Sequence, residues 1–370
     1  MEQPSDTKLV HMLTILRGLL AKPSGNDDDP YERVVLQAQK TQKAGKVCEI
    51  KGIGPNLSDD DIRKQLTSMF GKCCGNDGCL SGSILVDGLG SYNIVKEETT
   101  FEYSLRNKIA IVTGAAGAIG AGICRGLLQR GCRVAATDLV KERLDELVSD
   151  LGRLAEDRII GVQVDVTDKA SVAAGFNQVT AVWGGVDIIV VNAGIALVAS
   201  LMEMDPEAFR KLEKVNVEGA LLTMAEAGRC LCRQGTGGDI VLVSSKNVFA
   251  PGAQFGAYSA TKAASHQLAR IASLEFAPFG VRVNMVSPDG VFSDGSRKSG
   301  LWAEVGPSRM KARGLDEKGL EEYYRNRNLL KSKITPAHVA NAVLFFATRQ
   351  TPTTGATIPV DGGVPEAAPR

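Results

Sequence analysis

Histidine is scarce in this chain: His11, His266 and His338 are the only three among 370 residues. His266 and His338 fall in helix-compatible stretches and read as structural. A closed zinc site wants four ligands with paired spacing, and the eight cysteines, Cys48, Cys73, Cys74, Cys79, Cys124, Cys132, Cys230 and Cys232, do not supply it. Cys73-Cys74 with Cys79 comes nearest, and it would have to recruit Cys48 or His11. Free thiols are the simpler reading, so no metal is expected. No run of 18 apolar residues exists, which excludes a membrane-spanning helix. Residues 1–6 contain two acids and no basic residue, and the apolar stretch 9–20 is broken by His11 and Arg17. No secretory leader is therefore expected, and the thiols point to a reducing compartment, the cytoplasm. Long basic runs are also missing and the net charge is only +1, so neither nucleic acid nor an acidic membrane surface is an expected partner.

What remains is ordinary globular composition, 44% hydrophobic and 23% charged, divided into two unequal parts. Residues 1–103 carry a helix-compatible stretch at 9–21 and a polar loop at 26–30. A second helix over 58–70 has Ser58 as its cap and Asp59, Asp60 and Asp61 in its first turn. A short strand follows at 83–86. Few aromatics and no repeat support this region, so a small, marginal appendage, α+β or partly disordered, is expected. From Ser104 to the end, strands at 109–112, 133–137, 159–164, 187–191, 240–243, 281–286 and 357–360 alternate with helices at 118–128, 139–154, 169–182, 206–233, 257–277 and 336–347. This alternation specifies an α/β fold, a doubly wound parallel sheet of Rossmann type with helices on both faces. Residues 292–330 interrupt it with no expected strand. They are rich in charge and aromatics, including Trp302, Arg309, Tyr323, Tyr324 and Arg327. A helical lid over the strand ends is the favoured reading; an oligomer contact or a solvated helix pair is the alternative.

The chemistry concentrates at a few points. Lys108 to Gly120 reads K-I-A-I-V-T-G-A-A-G-A-I-G: a strand, a small-residue turn with Gly114, Gly117 and Gly120, then a helix. Its unpaired N–H groups and positive N-terminus suit a diphosphate. Asp138 ends the second strand, where a carboxylate accepts hydrogen bonds from the adenosine ribose and repels a 2′-phosphate, selecting NAD over NADP. Asp165 would meet the adenine edge, and Asn192-Ala193-Gly194 lets the ribose lie close. Tyr258 and Lys262 share one helix face. A free tyrosine titrates near 10, and a neighbouring ammonium together with an oxidised nicotinamide would lower it enough for Tyr258 to take a proton from an alcohol. Ser245 follows the strand at 240–243 and would polarise the substrate oxygen, with Ser244 its competitor. Asn216 is a poor helix residue, explained if its amide links Lys262 to solvent.

Thr113-Gly114 with Gly120, Asn192-Ala193-Gly194, Asn216, Ser245 and Tyr258/Lys262, in this order, resemble the short-chain dehydrogenase/reductase superfamily over residues 104–370. Ala118 departs from the glycine common there. The resemblance implies a catalytic set of Asn216, Ser245, Tyr258 and Lys262. It also implies cofactor contacts from Ile119, Val166, Pro288 and Val291 beside those above, and a homodimer or homotetramer. Ser245-Lys246-Asn247, Phe255-Gly256-Ala257-Tyr258, Val286 to Phe292 with Asp289 in place of the usual glycine, Leu301-Trp302, Glu321 to Tyr324, Leu329 to Lys331 and the ending Thr354 to Gly363 resemble one group more closely. That group is the dehydrogenase half of bifunctional rhamnulose-phosphate aldolase/lactaldehyde dehydrogenase proteins. The implied reaction is NAD-dependent oxidation of lactaldehyde. Residues 1–103, with His11 as their only histidine, would then be an aldolase remnant without activity. A sugar or polyol substrate, or a non-catalytic NAD-sensing module, is the alternative.

Overall fold

Short β-branched runs bounded by turns form the centre of the molecule. In a computed structural model that describes residues 7–39, 47–53, 57–74, 82–102, 104–294 and 297–367, they pair as one seven-stranded sheet. Within the N-terminal region the elements are α1 (Thr7–Leu20), β1 (Val35–Ala38), β2 (Val47–Ile50), α2 (Asp59–Cys74), β3 (Gly82–Val86) and β4 (Gly90–Val95). Thereafter β5 (Ile109–Thr113), α3 (Ala118–Gln129), β6 (Arg133–Asp138), α4 (Lys141–Gly152), β7 (Ile159–Gln163), α5 (Lys169–Trp183) and β8 (Ile188–Val191) alternate. They are followed by α6 (Pro206–Glu213), α7 (Gly219–Gln234), β9 (Gly238–Val243), α8 (Gly256–Phe276) and β10 (Val281–Pro288). Last come α9 (Gly300–Arg313), α10 (Glu317–Asn326), α11 (Pro336–Ala347) and β11 (Thr357–Val360).

The sheet order is β11-β10-β9-β8-β5-β6-β7, parallel throughout. Side chains alternate across it. Ala110, Val112, Ile188, Val190, Val241 and Val243 face one side with Cys124 and Leu127 of α3 and Val339 and Val343 of α11. Ile109, Ile111, Ile189, Val191, Ile240 and Leu242 face the other, against Phe176 and Trp183 of α5, Leu231 of α7 and Ala269 of α8. Strands buried on both faces explain the unbroken apolar runs. The order reverses between β5 and β8, so the crevice outside their C-terminal ends is the expected ligand site.

Two sequence expectations meet the structure here. The described residues of 7–95 take the small α+β form, in which β1-β4-β3-β2 make a second sheet. Leu13, Ile15, Leu16, Leu36, Ile50, Ile62, Leu66, Ile84 and Val86 form its core with α1 and α2. The pairing of β1 with β4 spans a long sequence separation in strands of only four and six residues, too short to show a periodicity. This unit is docked on the large sheet. Arg17 of α1, fully buried, donates from Nη1 and Nη2 to Asp187 at 3.0 and 2.7 Å, and from Nε to the Val34 carbonyl at 2.7 Å. Secondly, residues 292–330 do contain strand: Ser293–Asp294 pairs with Arg297–Lys298 as a two-residue antiparallel ribbon before α9 and α10.

Ser58 caps α2 as expected, accepting from the Asp61 N–H at 3.2 Å. Cys79 and the side chains of Cys73 and Cys74 lie outside the described residues. No helix among the described residues is long and apolar enough to cross a membrane.

Candidate active site

The turn after β5 is held by its neighbour strand. Thr113 Oγ1 accepts from the Asn192 and Ala193 N–H groups at 3.0 and 3.1 Å, and Asn192 Nδ2 donates to the Thr113 and Gly114 carbonyls at 2.9 and 3.0 Å. Gly114 has φ +60°, and a Cβ there would stand 2.8 Å from the Ala193 Cα. Only glycine fits that approach. Gly120, one turn into α3, lies against the turn itself: an added Cβ would meet the Gly114 oxygen at 2.4 Å. The helix start is thus drawn tightly under the strand end, with Gly117 at its N-cap and no side chain bonded there.

This turn forms one wall of a cleft of about 880 Å³ at the reversal point. Gly114, Gly117, Ile119, Gly120, Asp138, Asp165, Val166, Asn192, Ala193, Gly194, Ser245, Tyr258, Lys262, Pro288 and Val291 all line it. The Asp138 carboxylate accepts from the Ala116 N–H at 3.0 Å and from Val140 at 3.3 Å. Asp165 turns its own loop, accepting from the Thr167 N–H and hydroxyl at 2.8 and 2.7 Å.

Asn216 is not on the cleft wall but behind it, 2% exposed. Its amide accepts from the Ile195 N–H and donates to the Ile195 carbonyl, both at 2.9 Å, and donates to Thr261 Oγ1 at 3.0 Å. The long helix expected over 206–233 is therefore not continuous α: Lys214–Glu218 is a π-helical turn between α6 and α7. Such a bulge re-aims one residue inside a helix, and here it fixes Asn216 to the segment after Gly194.

Tyr258 and Lys262 both point inward from α8, 8% and 6% exposed. Lys262 Nζ donates to the Val243 carbonyl at 3.0 Å, and burial pushes its pKa down to about 8. Burial pushes the Tyr258 phenol up to about 12, against a lowering hydrogen bond from Ser245; Asp289 adds to the rise. The two adjacent serines have different partners. The Ser244 hydroxyl is engaged by His266 Nδ1 at 2.9 Å, whereas Ser245 reaches Tyr258.

Residues 292–330 pair the charges and aromatics that the sequence showed there. Arg327 binds Asp289 through both carboxylate oxygens and lies 4.2 Å over the Tyr324 ring. Trp302 stacks on Phe292 at 4.3 Å. Lys246 and Asn247 also line the cleft, and nothing in their sequence spacing marked them.

The N–H groups of the first turn of α3, a glycine cradle and an acid at the β6 end fit a dinucleotide. Known proteins agree with this frame. The family model described as short chain dehydrogenase matches residues 108–303. The chain is 36% identical over 258 residues to a cis-4-hydroxycyclohexanecarboxylate dehydrogenase of Sinomonas cyclohexanicum, covering 69% of this chain and 96% of that one. It is 35% identical over 271 residues to the uncharacterized oxidoreductase YuxG of Bacillus subtilis, a match that covers 73% of this chain but only 39% of that protein. Among solved structures, the sorbitol-6-phosphate 2-dehydrogenase SrlD of Erwinia amylovora aligns with a TM-score of 0.64 at 29% identity, over 69% of this chain and 98% of that one.

Proposed function

The chain belongs to the short-chain dehydrogenase family, and from that premise we propose that it transfers a hydride between NAD and a small alcohol or hydroxy-aldehyde. The observation that carries the reading is the convergence of Tyr258, Ser245 and Lys262 on the dinucleotide-shaped cleft. NAD, when bound, takes up or returns the hydride and brings the positive charge of its oxidised ring. Tyr258 is the acid/base. As the phenol, which burial favours, it donates its proton to a carbonyl oxygen in reduction; as the phenolate it receives the alcohol proton in oxidation. Ser245 orients the reacting oxygen against the phenol, and Lys262, anchored on the Val243 carbonyl, stands where it holds ribose hydroxyls. Asn216 positions the wall behind Gly194: a Cβ at Gly194 would stand 3.2 Å from Asn216 Oδ1 and 3.4 Å from Lys262 Nζ.

Lactaldehyde is the substrate implied by the closer sequence resemblance, with residues 1–103 as an aldolase remnant. Sugar alcohols form the second reading, favoured by the alignment with SrlD. Asp138 supports NAD rather than NADP, since a carboxylate facing a 2′-phosphate is a like-charge contact. Such contacts cost more than the roughly 1.4 kcal/mol that makes a tenfold preference. A substrate panel run with both cofactors is expected to show NAD favoured about tenfold or more in kcat/KM, and the Asp138→Ala variant to narrow that ratio by raising NADP use. Equal or better turnover with NADP in the unaltered protein would overturn the cofactor assignment.

A further inference from the structure

On the substrate side of Tyr258 the cleft wall carries cations that hydride transfer does not use. Arg309 of α9 lines the cleft and is 5% exposed. Its guanidinium carbon lies 4.6 Å over the Phe255 ring, and Phe255 in turn meets Tyr258 edge-on, ring centres 6.0 Å apart. The hydrogen bond recorded for Arg309 is a long one, Nη2 to the Tyr324 hydroxyl at 3.4 Å. Its Nε is buried without a partner. Among the described residues no carboxylate pairs with it, whereas neighbouring Arg327 is fully engaged by Asp289.

Lys246 lines the same cleft, directly after Ser245 and 9% exposed. Its Nζ donates to the Ala250 carbonyl at 2.9 Å, which satisfies one of three ammonium protons and neutralises nothing. Burial first, then the positive fields of Arg327 and Arg309, push its pKa down against Asp289 and Glu366. Lys246, Arg309 and Arg327 all line this cleft, where Asp289 is already committed to Arg327 and Glu366 is an exposed side chain. An unpaired guanidinium in a dehydrated site is costly and is retained where a ligand supplies the counter-charge. A planar fork of N–H donors matches two oxygens of a carboxylate or a phosphate.

We propose that the substrate is a small alcohol bearing an anionic group, a carboxylate or a phosphate monoester, which Arg309 and Lys246 hold while its carbinol meets Tyr258 and Ser245. The inference rests on the dehydrogenase reading of the same cleft. Arg309 is thus a specificity-determining residue, and α9 brings the charge as well as the cover.

The test compares matched alcohols with the full chain at saturating NAD: lactaldehyde and sorbitol as neutral substrates, sorbitol 6-phosphate as the phosphate arm, and a hydroxycyclohexanecarboxylate as the carboxylate arm. One anionic arm is expected to exceed the neutral alcohols about tenfold or more in kcat/KM, chiefly through KM. The arm that does so identifies the anion. Arg309→Met is expected to bring the anionic-to-neutral ratio close to one, and Arg309→Lys to keep part of it. A second readout does not depend on turnover: inorganic phosphate or acetate is expected to raise the melting temperature of the NADH-loaded protein, and Arg309→Met to abolish the shift. Neutral alcohols oxidised as well as both anionic classes, with no Arg309-dependent shift, would overturn the inference and leave the dehydrogenase intact. An Arg309-dependent shift in a protein that oxidises no alcohol would keep the anion site and remove the dehydrogenase reading.

Discussion

Replacing Tyr258 by phenylalanine is expected to lower kcat/KM for alcohol oxidation by about 10²–10⁴-fold, the range a positioned acid/base contributes. The ring stays, so its edge contact with Phe255 and most of the buried area survive. The loss of one hydroxyl hydrogen bond changes stability by about 1 kcal/mol at most. NADH fluorescence titration should show the variant still loading cofactor, and melting curves should nearly superimpose. The pH profile carries the sharper distinction. Buried surroundings hold the phenol above its ordinary value, so proton acceptance from an alcohol improves as pH rises, and oxidation by the unaltered protein should climb from neutral into the alkaline range. In Tyr258→Phe the residual rate should lose that dependence. A variant with undiminished turnover would remove the catalytic reading and favour a cofactor-binding module.

How far the sequence anticipated the site follows from how local each feature is. The glycine turn, the Tyr258/Lys262 pair and Asp138 at a strand end are each specified within one short segment, and all lie on the cleft wall. The seven strands were equally legible because each is a short apolar run bounded by turns. What was not legible depends on contacts between distant segments. The engagement of Ser244 by His266 and the tie of Asn216 to Ile195 each join residues well apart in sequence. Arg309 reads in sequence as one arginine among several on a charged helix. Its buried place over Phe255 separates it from Arg313, which lies over Tyr323, and the lack of a carboxylate among the described residues separates it from Arg327. The sequence left the N-terminal unit open between α+β and partial disorder for the same reason: its strands are short, and residues 35–38 pair with the distant 92–95.

That unit's attachment yields the other large effect, because its joint is ionic and buried. Asp187, at the start of β8 and 1% exposed, accepts from Arg17 twice and from the Ile109 N–H at 2.8 Å, and lies 3.1 Å from Arg33 Nε. Asp29 continues the joint, pairing with Arg33 and with Lys108, both at 2.6 Å. Asp187→Ala leaves Arg17 and Arg33 buried without their shared carboxylate, and breaking such a cluster from one side costs about 3–5 kcal/mol. Urea unfolding should show that loss, and limited proteolysis should cut the N-terminal unit first if the joint opens before the large sheet. A loss below about 1 kcal/mol, the level of an exposed pair, would mean the cluster is solvated and not a buried joint. Acid should act on the same groups. Burial alone would raise the Asp187 carboxyl, but Arg17, Arg33 and the Ile109 N–H overrule it and hold it below the ordinary value; Asp29 is lowered in the same direction, with Lys108 the foremost cation. A carboxyl depressed in the folded state contributes its full stability above its unfolded pKa of about 3.9 and loses it as pH falls toward the folded value. Stability should therefore hold from neutrality to roughly pH 5 and fall below about pH 4, with a shallower acid limb in Asp187→Ala. The N-terminal unit then releases in acid because its docking charge is one that protonation removes.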